Sequence, residues 1–305
     1  MTAAIRLENV TKRFGAQVAV DALSLTVPEG SIYGFIGPNG SGKTTTLRMI
    51  LRIFQPDGGT VEVLGQSQGR TADDRLGYLP EERGLYKRMR VRALLRYYAR
   101  LKGFYRCDEA IEMWLERLGA TDWAQKRVDM LSKGMAQKIQ FIAAVVTKPK
   151  LLILDEPFSG LDPVNLEVLR DGMLWMRDQG TTVVFSTLDM EMAERLCDTI
   201  FMIFQGKKVL DGTLDAIQAE YAADRVRVRL DDPRAELPDL PEIRDVESRG
   251  RFTEFRLSDP SAAQRVLREL VATLPLTHFE VIRPSLHEIF VRIAKHDPAT
   301  VGDAA

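Results

Sequence analysis

GPNGSGKT, Gly37 to Thr44, sits between an apolar run, Ser31 to Ile36, and a helically spaced segment, Lys43 to Ile53, closed by the turn Gln55-Pro56-Asp57-Gly58-Gly59. Strand, glycine loop and helix in that order build an anion site. The glycines let successive backbone N–H groups turn toward one point, and the helix that follows aims its positive dipole end at the same point. Gly37, Pro38, Asn39, Gly40, Ser41, Gly42, Lys43, Thr44 and Thr45 are therefore candidate phosphate-binding residues. Lys43 has the reach to serve β- and γ-phosphates as a point charge, and the Thr44 hydroxyl suits Mg²⁺. The bland alternative is a glycine-rich turn entering a helix, which would not call for the whole match in this context.

Two further segments reinforce the phosphate reading. In LLILDEPFSGLDP, Leu151 to Pro163, an apolar strand delivers Asp155 at its carboxyl edge, where a carboxylate can meet a metal. Its neighbour Glu156 can orient and polarise an attacking water, a role worth about 10²- to 10⁴-fold in rate. An acidic pair capping a helix would explain either residue alone, but poorly explains the pair followed by Pro157 and SGLDP. In LSKGM, Leu131 to Met135, Ser132 stands at a helix N-cap, the free N–H groups of the first turn suit a γ-phosphate, and Gly134 permits close approach. An ordinary capped helix is the alternative there. The three motifs share about 130 residues and together predict one ATP-handling unit with Mg²⁺.

Composition bounds the remaining options. The chain has 305 residues, 45% hydrophobic, enough for one large domain and a smaller one. Its 42 Lys+Arg against 43 Asp+Glu leave a net charge of −1, without the basic excess of non-specific nucleic-acid binding, so no nucleic-acid partner is expected. Cys107 and Cys197 lie far apart with no ligand-spaced neighbours, which argues against a disulfide framework or a zinc site. No stretch reaches the roughly 18 apolar residues of a membrane span, and MTAAIRLENV has no apolar signal core. The expected location is cytoplasmic, with any membrane-spanning part on another polypeptide.

Along the chain, Ile5 to Val27 reads as a β-rich entry. Between about residues 83 and 147 the pattern turns helical: Val91 to Leu101, Glu109 to Leu118 and Ser132 to Thr147, with Gly103 and Gly119 marking ends. An α/β pattern resumes with a strand at Leu151 to Leu154, a helix from Pro163 to Gln179, a strand from Thr182 to Ser186, a helix through Glu191 to Cys197, the hairpin-like Ile200 to Leu210 and a helix from Leu214 to Tyr221. Beyond it, alternating Val226, Val228 and Leu230, a Pro-rich link from Pro233 to Pro241, strand-like Phe252 to Leu257 and Phe279 to Ile282, and helices from Ala262 to Leu270 and from Ser285 predict a small α+β unit. The expected domains are residues 1–222, 223–296 and a frayed tail, 297–305.

These motifs make the chain similar to the nucleotide-binding subunit of ABC transporters: GPNGSGKT resembles Walker A, LSKGM the signature, LLILDE Walker B and SGLDP the D-loop, across residues from about Ile5 to Tyr221. The resemblance implies an α/β P-loop NTPase core with a β-rich entry and a helical insert, plus the small α+β C-terminal domain. It also implies a homodimer or heterodimer of ATPase subunits packed head to tail. Each ATP would lie between one Walker A and the facing signature helix, and a separate transmembrane permease would be driven from the inner face of the cell membrane.

By the same resemblance Phe14 takes the place of the aromatic that stacks on adenine, although an apolar strand-end role reads nearly as well. Glu81, in LGYLPEERGLY, stands where the family has a glutamine linking the ATP site to the helical insert, and is a candidate metal and catalytic residue or a plain surface carboxylate. Lys133 and Met135 depart from the usual signature. The larger departure is Leu188, where the family carries a histidine against the γ-phosphate. Leucine neither donates a hydrogen bond nor bears charge, and losing one such group costs about 10²- to 10³-fold in turnover. The resemblance therefore implies ATP binding with slow hydrolysis, or a regulatory module that binds ATP and scarcely turns it over. SLHEIFVRIAK, Ser285 to Lys295, resembles the extension of sodium-exporter-like and related ABC exporters, which favours export and a role in stabilising or regulating the dimer, or a purely structural cap.

Overall fold

The computed structural model describes residues 2–67, 74–82, 84–221, 224–232, 235 and 237–296. The expected tail lies outside them, as do Arg83 and Pro233. Two compact units are present, Met1–Thr213 and Leu214–Ala305. The first runs, in chain order, β1 (Ala3–Phe14), β2 (Gln17–Pro28), β3 (Ile32–Ile36), α1 (Lys43–Ile50), β4 (Gly58–Val63), β5 (Leu76–Leu79), α2 (Val91–Leu101), α3 (Asp108–Arg117), α4 (Lys133–Val145), β6 (Leu151–Asp155), α5 (Pro163–Asp178), β7 (Thr182–Thr187), α6 (Met190–Leu196), β8 (Thr199–Phe204) and β9 (Lys207–Gly212).

Every residue of β3, β6 and β7 is buried, because both of their faces are covered, and β3 and β6 are accordingly rich in apolar side chains. Tyr33, Phe35, Leu151, Ile153 and Val184 point into one core with α1 and the strands β1, β2 and β4. Their alternates Ile32, Leu152, Leu154, Val183 and Phe185 point into a second core with the helices α2 to α5. These strands belong to a six-stranded sheet of order β5-β6-β7-β3-β8-β9, parallel except for the β8–β9 hairpin. The antiparallel β2-β1-β4 sheet forms the β-rich entry. Register places Ile36 beside Thr187 and Asp155 beside Ser186, so the carboxyl ends of β3, β7 and β6 lie side by side, where ligands of open α/β sheets bind.

Local chemistry sets the helix ends. Gly103 (φ 73) and Gly119 (φ 62) follow α2 and α3 in the left-handed conformation, as their place in the sequence predicts. The first helix stops three residues earlier than expected from Lys43 to Ile53, and the cause is a Schellman motif built without glycine. Arg52 takes φ 59 and donates its N–H to Met49 O, while the Ile53 N–H reaches back to Arg48 O at 2.8 Å. The helical insert packs around Trp114, edge-on to Phe141 at 5.7 Å and to Trp175 at 5.1 Å.

The second unit contains α7 (Leu214–Glu220), β10 (Arg225–Leu230), β11 (Ile243–Arg249), β12 (Phe252–Leu257), α8 (Ala263–Thr273), β13 (Leu276–Ile282) and α9 (Leu286–His296). Its antiparallel sheet has the order β11-β12-β10-β13. Val226, Val228, Phe255 and Leu257 from one face meet Val266 and Leu270 of α8 in a core of its own. Among the described residues no helix is long and apolar enough to cross a membrane.

Candidate functional site

The loop from β3 to α1 forms one wall of a cleft of about 310 Å³ at the carboxyl ends of the parallel strands. Phe14, Asn39, Gly40, Ser41, Gly42, Lys43, Thr44, Thr45, Glu81 and Glu156 line it, joined by Gln17 and Ala19, which carried no recognisable signal in the sequence. Gly42 sits at φ 107, where a Cβ would also press on the Ala19 carbonyl, so the tight passage into α1 admits only glycine.

Lys43 is folded back into the loop. Its Nζ donates to Gly37 O at 2.6 Å and Pro38 O at 3.1 Å, and lies 3.9 Å from Glu156 Oε1. Burial holds its pKa below the ordinary lysine value, against the opposing pull of Glu156, Asp155 and Glu81. Gly37 and Pro38 thus enter the site through their carbonyls.

Asp155 ends β6 almost fully buried. Its Oδ1 accepts from Ser186 Oγ at 2.5 Å and from Thr44 Oγ1 at 3.4 Å. Ser186 Oγ in turn accepts from the Glu156 N–H at 2.9 Å. This serine, one strand away on β7, is the connection that the sequence reading missed; its only signal was its place at the end of an apolar strand. Glu156 has φ 48, a left-handed conformation unusual for a residue with a side chain. Burial raises its pKa; Lys43 opposes the shift, Asp155 and Glu81 reinforce it, and the Leu188 backbone N–H pulls it back down.

Among the described residues, three buried oxygens around this cleft, Ser41 Oγ, Asp155 Oδ2 and Glu156 Oε1, have no hydrogen-bond partner. Native interiors rarely leave such atoms unmatched. With Thr44 Oγ1 they form an oxygen set suited to a hard divalent cation and its water. Phe14 is 45% exposed at the cleft wall, edge-on to Phe54 at 5.5 Å with Lys12 Nζ 5.7 Å from its ring.

Ser132 and Gly134 are not in this cleft. Ser132 caps α4, its Oγ accepting from Met135 N at 3.3 Å, and Gly134 approaches Asn165 and Leu161. Lys133 reaches over Gly160 of the SGLDP turn. Leu188 lies in the loop after β7, its residue 46% exposed. Asp189 caps α6, its Oδ1 accepting from Met192 N at 3.0 Å.

Comparison with known proteins places this geometry in context. Residues 20–159 match the family model described as ABC transporter, and residues 212–294 match that of the ATP-binding protein DrrA1-3-like C-terminal domain. The chain is 40% identical to YhaQ of Bacillus subtilis (strain 168), an uncharacterized ABC transporter ATP-binding protein, over 94% of this chain and 97% of the relative. It is 33% identical to the Nod factor export ATP-binding protein I of Sinorhizobium fredii (strain NBRC 101917 / NGR234), over 95% of this chain and 85% of that one. It is 32% identical to the daunorubicin resistance ATP-binding protein DrrA3 of Streptomyces coeruleorubidus, over 96% of each. Among solved structures, an ATP-binding subunit of an ABC transporter superposes with a TM-score of 0.67 at 28% identity, covering 72% of this chain and 93% of the other.

Proposed function

The chain belongs to the ABC transporter ATP-binding proteins, and from that premise we propose that it binds and slowly hydrolyses ATP, coupling ATP-driven pairing of two ATPase subunits to a separate membrane permease in export. The observation that carries the reading is the convergence of Lys43, Thr44 and Glu156 on one cleft, with Asp155 bonded to Thr44 beside it and three buried oxygens there without partners among the described residues. Lys43 and the Gly37 to Thr45 loop bind phosphates, and Phe14 faces the base. Thr44 and Asp155, with Glu81 as a further candidate, would hold Mg²⁺, which would supply charge neutralisation at the phosphate oxygens. Glu156 orients the attacking water and accepts its proton.

Ser132 and Gly134 serve the ATP of the facing subunit, which is consistent with their lying outside their own chain's cleft. That subunit is a second copy or a near twin. The assembly sits on the cytoplasmic face of the membrane, and the relatives named for Nod factor export and daunorubicin resistance support the outward direction.

Leu188 supports the slow turnover. Steady-state phosphate release from purified protein in Mg-ATP is expected to rise about 10²- to 10³-fold in Leu188→His, the range assigned to one preorganised polar group. Glu156→Gln should abolish release while retaining nucleotide and promoting an ATP-dependent dimer on size-exclusion chromatography. The same leucine also favours a second reading, a regulatory ATP-binding module paired with a competent subunit. No release from either the native chain or Leu188→His, even with native membranes added, would select that reading. Failure of the native chain to bind Mg-ATP would remove both.

A further inference from the structure

A second cavity, larger than the phosphate cleft, has a volume of about 720 Å³ and lies at the opposite, amino ends of the parallel strands, beside Lys150 before β6 and Thr182 at the start of β7. The last turns of α3 and α5 close it with Met113, Arg117, Trp175 and Met176. Its size falls in the roughly 300–1,000 Å³ range of small-molecule sites.

The lining has two parts. Met113, Trp175, Met176 and Leu64 supply an apolar floor, with methionines that adapt to irregular shapes. Around it stand three cations, Arg117, Lys148 and Lys150, against one carboxylate, Glu29. None of the three cations makes a side-chain ion pair or hydrogen bond with protein among the described residues. Arg117 is nevertheless held in place, because its guanidinium lies over the Trp175 ring at 4.5 Å. Trp175 is itself fixed edge-on against buried Trp114. A planar cation oriented by stacking, with its N–H donors left over, is a preorganised receptor for a carboxylate or related oxyanion. The hydroxyls are already taken: Thr181 Oγ1 donates to Pro149 O at 2.8 Å, and Thr182 Oγ1 accepts from Gly30 N at 2.9 Å. The cavity therefore recognises through charge and apolar contact.

We propose that this cavity binds an amphipathic anion, an apolar body bearing one carboxylate-like head, with Arg117 and Lys150 on the head and Trp175, Met113 and Met176 on the body. The site is separate from the phosphate cleft and does not depend on hydrolysis. Isothermal titration of the full-length chain with sodium dodecanoate, below its micelle-forming concentration, tests the assignment. One-to-one binding is expected with a change in tryptophan emission, at least 10-fold weaker in Arg117→Ala/Lys150→Ala. Dodecyltrimethylammonium, which keeps the tail and reverses the charge, and inorganic phosphate, which keeps a charge and lacks the tail, should each bind at least 10-fold more weakly than dodecanoate. Both substituted residues are exposed, and Mg-ATP binding by the double variant should match the native chain, which checks its folding. The proposal is overturned if dodecanoate does not bind, if the double variant binds it equally well, or if the cationic analogue binds with the same affinity, since the last two describe only adventitious apolar association.

Discussion

Glu156 combines a strained backbone with a disfavoured charge, and both have measurable consequences. At φ 48 any residue with a Cβ bears a cost of about 1 kcal/mol that glycine avoids. Glu156→Gly is therefore expected to be about 1 kcal/mol more stable than Glu156→Ala in urea unfolding, although neither retains the carboxylate proposed to orient the water. The charge acts through pH. Burial raises the Glu156 pKa in the folded chain above its ordinary carboxylate value, so its favourable contribution to stability is complete below the unfolded pKa and is lost as pH rises through the folded one. Replacing it with glutamine removes that loss, and Glu156→Gln should exceed the native chain in neutral-pH stability while converging with it in acid. Turnover runs the other way, because accepting a proton requires the ionised form. The acid limb of kcat against pH should lie above the range of an ordinary glutamate, and equal positions for the limb and a free carboxylate would argue against Glu156 as the base.

Helix ends show how far elements were legible. Asp189 follows the apolar strand β7 and opens α6, and its bond to Met192 N is the cap of a helix only seven residues long. Asp189→Ala should cost about 1 kcal/mol in stability, and Asp189→Asn much less, since asparagine also caps; a neutral alanine variant in thermal unfolding would contradict the assignment. From sequence this cap is not legible, because chain position beside Leu188 does not reveal which way a carboxylate turns. The strands β3 and β6 were readable since burial on both faces leaves nearly unbroken apolar runs, and β7 from its shorter apolar stretch Val183 to Phe185. By contrast β4, β5 and β11 were not anticipated. Gly58 and Gly59 open β4 and read as part of a turn, β5 is four residues long, and β11 is a sheet-edge strand, Ile-Arg-Asp-Val-Glu-Ser-Arg, with charges and no apolar alternation. The phosphate loop was legible because backbone geometry there demands glycine at fixed spacing. Ser186, which ties Asp155 to the Glu156 backbone, was not, because a hydrogen bond between neighbouring strands leaves no periodic trace in the chain.

Across the whole molecule, separate cores predict separable stability. The first unit buries its apolar residues on the two faces of the six-stranded sheet, whereas the second gathers Val226, Val228, Phe255, Leu257, Val266 and Leu270 between one sheet face and α8. Phe255 is 1% exposed, and truncating a buried phenylalanine typically costs about 3–5 kcal/mol through lost transfer energy and the cavity left behind. A core of this modest size has little excess stability to absorb such a loss. Differential scanning calorimetry of the native chain should resolve two transitions. Phe255→Ala should lower or abolish only that of residues 214–305, while Mg-ATP, which the proposed function assigns to the first unit, should raise only the other in proportion to the logarithm of its concentration. The contrast discriminates between two arrangements of energy. If Phe255→Ala and Mg-ATP each moved a single common transition, the units would melt as one cooperative body, and the second core would have to act on the ATP site through the stability of the whole chain.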